Sequence, residues 1–310
     1  LKRYLQNIAF INYFYVSVMS LVLNFFKLFL IKTEKKIIFS SFSGRSFNDS
    51  PRRLFDLIKQ DPSFNEYRII WAFEDLTKFN KGSFDTVRID SISYFYHILT
   101  ASIWITNVNI DRGLRIKPSE VLYVNTWHGT PLKKVGNDVN ARSDFNWNNV
   151  DIATVTGDYE KNIFTNAFKL DEKRTKIIKG NPRHDKIIAT DKKIDKIFLN
   201  TFNPQRKKII LYAPTWRENQ NFNFRDLINI KEWESSLKET HVIWVREHII
   251  STIENPLPFE GENNFLFNVS SVPDVFEILP YVDILISDYS GMFFDFSHYN
   301  KPMICFAHDY

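Results

Sequence analysis

The run Val121-Leu122-Tyr123-Val124-Asn125-Thr126-Trp127-His128-Gly129-Thr130-Pro131-Leu132-Lys133-Lys134-Val135-Gly136 decides how this chain is read. Five of its first six residues, all but Asn125, are apolar, β-branched or aromatic over the length of a strand. The proline and two glycines that follow forbid a simple continuation of that strand. His128 therefore falls at a strand-to-loop corner. An imidazole there can take a proton from an attacking hydroxyl near neutral pH; a histidine that only hydrogen-bonds the turn fits the same pattern. Lys133 and Lys134 suit a phosphate and suit a solvated surface equally well.

Outward from this run the same alternation repeats. Candidate strands are Lys36 to Ser40, Tyr67 to Phe73, Thr86 to Ile89, Ile103 to Thr106, Val121 to Thr126, Ile152 to Thr156 and Lys176 to Lys179. A second set comprises Lys208 to Tyr212, Val242 to Val245, Phe265 to Asn268, Asp283 to Ser287 and Met303 to Phe306. Helical patterns lie between them at Pro51 to Gln60, Ser91 to Ser102, Tyr159 to Ala167 and Val275 to Leu279. Near-continuous apolar strands separated by helices indicate parallel sheets covered on both faces, and two sets indicate two Rossmann-like, doubly wound α/β domains. A length of 310 residues agrees with two domains of about 150 residues. The charged stretch Asp185 to Arg206 is the expected break, giving domains at 33–190 and 191–310.

Composition narrows the function. Forty basic against 36 acidic residues leave a net charge of +4, too mild for a nucleic-acid binder but compatible with an anionic substrate or bilayer. The single cysteine, Cys305, excludes an intramolecular disulfide and a cysteine-rich metal site; its apolar neighbours Met303, Ile304 and Phe306 predict a core position. Residues 1–32 form a separate segment. Leu5 to Ile31 is largely apolar, with Lys2 and Arg3 before it and Lys32, Lys35 and Lys36 after it. An interfacial helix lying in the headgroup plane is the preferred reading. A membrane span and a helix packed on the globular body are the others.

Ligands of doubly wound sheets bind beyond the carboxyl ends of the strands, so those positions carry the candidate site. Gly180-Asn181-Pro182-Arg183-His184-Asp185 offers a guanidinium, or an Arg–Asp turn with a structural role. Leu211-Tyr212-Ala213-Pro214-Thr215-Trp216-Arg217 presents Thr215 and Arg217 after a proline stop, and a guanidinium suits a diphosphate because it forks two donors toward paired oxygens. Val245 leads into Arg246-Glu247-His248. Ser287 leads into Asp288-Tyr289-Ser290-Gly291, where Ser290 is a candidate N-cap and the helix start a candidate anion site.

Together these strings resemble the CDP-glycerol glycerophosphotransferase family, the enzymes of teichoic acid and related polyol-phosphate polymer synthesis. The strings are Asn125 to Lys133, Gly180 to Asp185, Tyr212 to Arg217, Ile286 to Ser290, Phe294-Asp295-Phe296 and Lys301-Pro302, in the family's order across roughly residues 35 to 310. The resemblance implies a GT-B-like fold of two Rossmann-like domains facing across a cleft, a CDP-linked donor held mainly by the second, and no metal or other cofactor. It implies His128 as the base, with His248 as the second catalytic histidine. Pro214, Thr215, Arg217, Arg246, Asp288 and Ser290 would lie around the donor, and Gly129, Thr130, Lys133, Arg183 and Asp185 would support the acceptor side. The implied reaction moves glycerol phosphate to a hydroxyl of a polyprenyl-diphosphate-linked saccharide or polyol-phosphate acceptor at the cytoplasmic face of the membrane, releasing CMP. CDP-ribitol as donor, a sugar-nucleotide glycosyltransferase of the same fold, and a non-catalytic scaffold are the alternatives. Gly291 stands where the family often has a second serine, which predicts one fewer hydroxyl contact to the donor. The chain stops at His308-Asp309-Tyr310, just after a strand, whereas the family normally continues; a truncated second domain is expected.

Overall fold

The computed structural model describes residues 9–30, 34–79, 84–139, 146–185, 196–215, 228–246 and 264–307. The expected boundary between 190 and 191 lies outside them. Among the described residues the chain builds two parallel sheets. The first contains β1 (Glu34–Ser40), β2 (Arg68–Phe73), β3 (Asp85–Arg88), β4 (Ala101–Thr106), β5 (Leu122–Asn125), β6 (Ile152–Val155) and β7 (Lys176–Lys179), in the order β3-β2-β1-β4-β5-β6-β7. Helices α1 (Ala9–Lys27), α2 (Asp49–Ile58), α3 (Ile92–Thr100) and α4 (Asp158–Ala167) accompany it. The second sheet contains β8 (Lys208–Ala213), β9 (His241–Val245), β10 (Leu266–Asn268), β11 (Ile284–Ser287) and β12 (Met303–Cys305), in the order β10-β9-β8-β11-β12. Helices α5 (Lys196–Phe202), α6 (Ile230–Leu237) and α7 (Met292–Ser297) belong with it.

Two compact units result. The first is Leu1–His128 with Lys134–Arg183; the second is Gly129–Lys133 with His184–Tyr310. The short loop that follows His128 therefore belongs to the second unit, although the chain on both sides of it belongs to the first.

The apolar strands are continuous because both faces of each sheet are covered. In β1, Ile37 and Phe39 enter a cluster with Phe55, Trp71 and Phe73, while Ile38 points to the opposite cluster with Ile70, Ala72 and Trp104. In β8, Ile209 and Leu211 face Val242, Trp244 and Phe296, and Ile210 and Tyr212 face Ile243 and Phe265. Burying each such side chain contributes about 1.5–3 kcal/mol. Strand order reverses direction between β1 and β4 in the first sheet and between β8 and β11 in the second. Doubly wound sheets hold their ligands at such points.

Three sequence expectations change. The helix expected to reach Ser102 ends at Thr100, and β4 begins at Ala101 with no loop between. The helix expected over Val275 to Leu279 is instead two 3-10 turns, Val275–Glu277 and Leu279–Tyr281. Asp274 caps the first by accepting the Phe276 N–H at 3.1 Å, and Pro280 lacks the N–H that an α-helix through the second would need. Cys305 is exposed rather than buried, because among the described residues β12 stands at the edge of its sheet with all three residues exposed. In α1 the polar side chains turn inward: Ser20 Oγ accepts the Arg115 N–H at 2.9 Å, and Asn24 Nδ2 donates to the Arg115 carbonyl at 2.8 Å. Tyr13, Phe14, Leu21, Phe25 and Phe26 are left exposed. No helix among the described residues is long and apolar enough to cross a membrane.

Candidate active site

In the first unit the ends of β1, β4 and β5 interlock around His128. Asn125, the last residue of β5, accepts the Trp127 N–H on Oδ1 at 3.0 Å and donates from Nδ2 to the Val108 carbonyl at 2.7 Å. This holds Trp127 in the left-handed region at φ 53°, a conformation that costs a non-glycine residue of order 1–3 kcal/mol. Burial of the Trp127 ring against Trp147, Phe164 and Phe168 offsets that cost. The turn brings the part-buried imidazole of His128 to the end of β4, where Nδ1 lies 2.7 Å from the Asn107 carbonyl oxygen. A carbonyl only accepts, so Nδ1 carries the proton and the lone pair resides on Nε2.

Burial lowers the His128 pKa below its ordinary 6.5; the Asn107 carbonyl and Asp49 oppose this, and Arg183 reinforces it. The imidazole is therefore neutral at pH 7, with a basic Nε2. Asn107 also fixes the other wall of the site. Its Oδ1 accepts the Phe42 N–H at 2.8 Å, and the Phe42 ring stands 5.3 Å from that of His128. The loop after β7 crosses back to the same edge. Arg183 is buried and its Nη1 lies 3.4 Å from Asp49 Oδ2, also buried. Ser50 Oγ donates to Asn181 Oδ1 and accepts the Arg183 N–H. Asp185 follows the turn Pro182–His184 and is half-buried.

In the second unit, the residues after β8 and β11 meet. Buried Asp288 accepts the Thr215 N–H at 2.7 Å, next to half-buried Pro214. Lys133 Nζ donates to Thr215 Oγ1 at 2.7 Å and sits 5.8 Å from the centre of the Tyr289 ring. Thr130 is buried, and Gly129 adopts φ 144°. The helix cap is shared: Gly291 is the N-cap of α7, while Ser290 Oγ accepts the Met292 N–H at 3.2 Å. Arg246 Nη1 donates to the Val269 and Val272 carbonyls at 3.1 and 2.7 Å. Burial lowers its pKa to about 10, opposed by Asp274 and Glu277, so it remains a cation at neutral pH. His184 Nε2 lies 2.7 Å from Asp295 Oδ1, with the His298 ring 4.7 Å away. Arg217 and His248 lie outside the described residues.

Sequence reading missed Asn107, Asp49, Ser50 and Asn181. The available signal was position alone: each is a small polar residue just past a strand or at the start of α2.

The geometry defines a two-sheet α/β protein with a positioned neutral histidine at one reversal point and an Asp–Thr–Lys cluster at the other. The family model for CDP-Glycerol:Poly(glycerophosphate) glycerophosphotransferase matches residues 22–310, and the chain belongs to that family. It is 33% identical over 300 residues to the teichoic acid poly(glycerol phosphate) polymerase of Staphylococcus epidermidis, covering 89% of this chain and 40% of that protein. The chain thus spans two fifths of that relative's length. It is 28% identical to the teichoic acid glycerol-phosphate transferase of Staphylococcus aureus, covering 92% of this chain and 77% of that protein. Among solved structures it resembles the wall teichoic acid polymerase TagF, in a histidine-to-asparagine variant soaked with CDPG. The TM-score is 0.78 at 30% identity, over 89% of this chain and 71% of that one.

Proposed function

We propose that the chain transfers glycerol phosphate from CDP-glycerol to an acceptor hydroxyl with release of CMP. The observation that carries this is the His128 imidazole, fixed by the Asn107 carbonyl and kept neutral by burial. The acceptor oxygen attacks the β-phosphorus of the donor. A new P–O bond forms, the bond from that phosphorus to the bridging oxygen breaks, and CMP leaves with the electron pair. The hydroxyl proton passes to Nε2 of His128. Thr215, Asp288, Arg246 and the start of α7 near Ser290 belong to the donor side of this reading, together with Arg217 and His248. Placement and charge stabilisation of this kind are the main catalytic means in phosphoryl transfer.

The relatives named for glycerol-phosphate polymer or transfer chemistry favour glycerol as the alditol. A ribitol-phosphate polymerase of Staphylococcus aureus is 25% identical over 93% of this chain, which keeps CDP-ribitol as the second donor to test. The acceptor in this reading is carried on a polyprenyl diphosphate lipid at the cytoplasmic membrane face, and α1 lies in the headgroup plane. Its outward Tyr13, Phe14, Leu21, Phe25 and Phe26 with Lys27 at the end suit an interfacial helix. Deleting residues 1–32 should release the protein from liposomes; undiminished binding would remove α1 from this role. Incubation with CDP-glycerol, CDP-ribitol or a UDP-sugar, with CMP, UDP and extended acceptor resolved by mass, tests the donor. Consumption of the UDP-sugar alone would overturn the proposal.

A further inference from the structure

A cavity of about 340 Å³ opens in the first unit where the loops after β1, β2, β3 and β4 converge. Its volume lies in the range of small-ligand sites, roughly 300–1,000 Å³. Three guanidiniums line it, from Arg45, Arg88 and Arg112, against the carboxylates of Glu74 and Asp90. Arg45 pairs with Glu74 at 3.4 Å and Arg112 with Asp90 at 3.1 Å. Arg88 forms no close ion pair among the described residues and reaches the Asp75 carboxylate, outside the lining, only through space, so the lining itself holds three guanidiniums against two carboxylates.

The backbone around this space is unusual. Ser43, Asp90 and Arg112, all in the lining, adopt left-handed φ values of 57°, 62° and 59°. Gly44 has φ 82°, and a Cβ there would stand 2.7 Å from the Glu74 nitrogen and 2.9 Å from the Phe73 carbonyl carbon. Each left-handed non-glycine residue costs of order 1–3 kcal/mol, and such residues concentrate at ligand sites. Ser91 adds the start of α3, whose dipole favours an anion. The cavity and the base share a wall: Ser43 lines the cavity, and its neighbour Phe42 packs on His128 and is held by Asn107.

We propose that this cavity is an anion subsite for the acceptor, holding a phosphodiester that precedes the hydroxyl presented to His128. This rests on the transfer reading above. Each transfer converts a hydroxyl into a phosphodiester ending in a new hydroxyl, so the product carries one anion next to its reactive end. A guanidinium pocket beside the base would hold that anion and favour an already extended acceptor over a phosphate-free one. Arg88 is the specificity-determining residue in this account, because, unlike Arg45 and Arg112, it is not in close contact with a carboxylate of the lining.

The test uses the whole chain without donor and a fluorescent tri(glycerol phosphate) without lipid, with binding read by anisotropy. Arg88→Gln should weaken binding about tenfold, as expected for loss of one charge-assisted contact, and Arg88→Lys should recover part of it. Lys169→Gln, at an exposed lysine outside the cavity lining, serves as the charge control. In transfer assays, Arg88→Gln should lower by about tenfold the ratio of kcat/KM for a phosphodiester-bearing acceptor to that for a phosphate-free acceptor. Unchanged binding in Arg88→Gln, or equal losses in Arg88→Gln and Lys169→Gln, would overturn the subsite. So would competition by inorganic phosphate as strong as by the unlabelled trimer, which would mark a general anion site. Arg88-dependent trimer binding in a chain that transfers from no donor would keep the subsite and remove the transfer reading.

Discussion

Adding a single methyl group at Gly291 should loosen the loop that follows the histidine. A Cβ at this position would stand 2.8 Å from the Thr130 carbonyl oxygen, 3.2 Å from the Thr130 nitrogen and 3.5 Å from the Gly129 carbonyl carbon. All three are backbone atoms, so no side-chain rotation relieves the contact. A comfortable carbon–oxygen approach is about 3.3 Å, so the two segments must separate by about half an ångström. Overpacking of this kind costs about 1–3 kcal/mol, and each kcal/mol moves Tm by about 2–4 °C in a domain of 150–250 residues. The same displacement would pull Lys133 from Thr215, which it contacts at 2.7 Å. Gly291→Ala and Gly291→Ser should therefore both lower the urea midpoint and the Tm of the second unit. The serine comparison is decisive, because reading Gly291 as a missing hydroxyl makes Gly291→Ser beneficial, whereas the steric account makes it as harmful as alanine. Parent-like midpoints in both variants would refute the close approach.

Three further outcomes are expected. Burial raises the Asp111 carboxyl from 3.8 to about 6, with the Gly113 N–H and Arg112 opposing. The folded state thus binds an extra proton between about pH 4 and 6, and stability falls as pH rises through that window. Asp111→Asn should flatten the slope and recover up to about 3 kcal/mol at pH 7; a variant with the parent's pH dependence of the urea midpoint would contradict this. Because burial lowers the His128 pKa below 6.5, the acid limb of kcat/KM should fall below pH 6.5; an acid limb above pH 6.5 would argue against His128 as the titrating base. Asp49→Ala removes a buried carboxylate that lies 3.4 Å from the buried Arg183 guanidinium, which should destabilise the first unit by up to about 3–5 kcal/mol, read as a lowered urea midpoint; a midpoint within 0.5 kcal/mol of the parent, a threshold of roughly the size expected for an ordinary surface substitution, would show that the pair does not matter.

The strands were legible because they are covered on both faces. Runs such as Lys36 to Ser40 and Lys208 to Tyr212 are apolar at their centres, in Ile37-Ile38-Phe39 and Ile209-Ile210-Leu211, and an apolar run of this kind with turn residues beyond it has few other uses. The failures came where a neighbour, rather than the local pattern, decides. Val275 to Leu279 has helical spacing, but the Asp274 cap and Pro280 confine it to single turns. Cys305 reads as core from its neighbours, yet the edge place of β12 leaves it exposed. At the site, His128 was visible because proline and glycines frame it. Asn107 and Asp49 were not, since neither carries a local signature. Their roles arise only when β4 and α2 are folded beside β5, more than 15 residues away in the chain. The departure at Gly291 was visible as a sequence difference, but its cause, the backbone of Thr130, lies about 160 residues away.

The most direct test of the transfer account is a mass-resolved assay of the purified chain with CDP-glycerol and a primed acceptor, alongside His128→Ala. The account predicts that every CMP released is matched by one glycerol phosphate added to the acceptor. It also predicts that His128→Ala slows this by about 10²–10⁴-fold while the chain remains cooperatively folded. Full transfer by His128→Ala, or CMP release with no gain in acceptor mass, would contradict it.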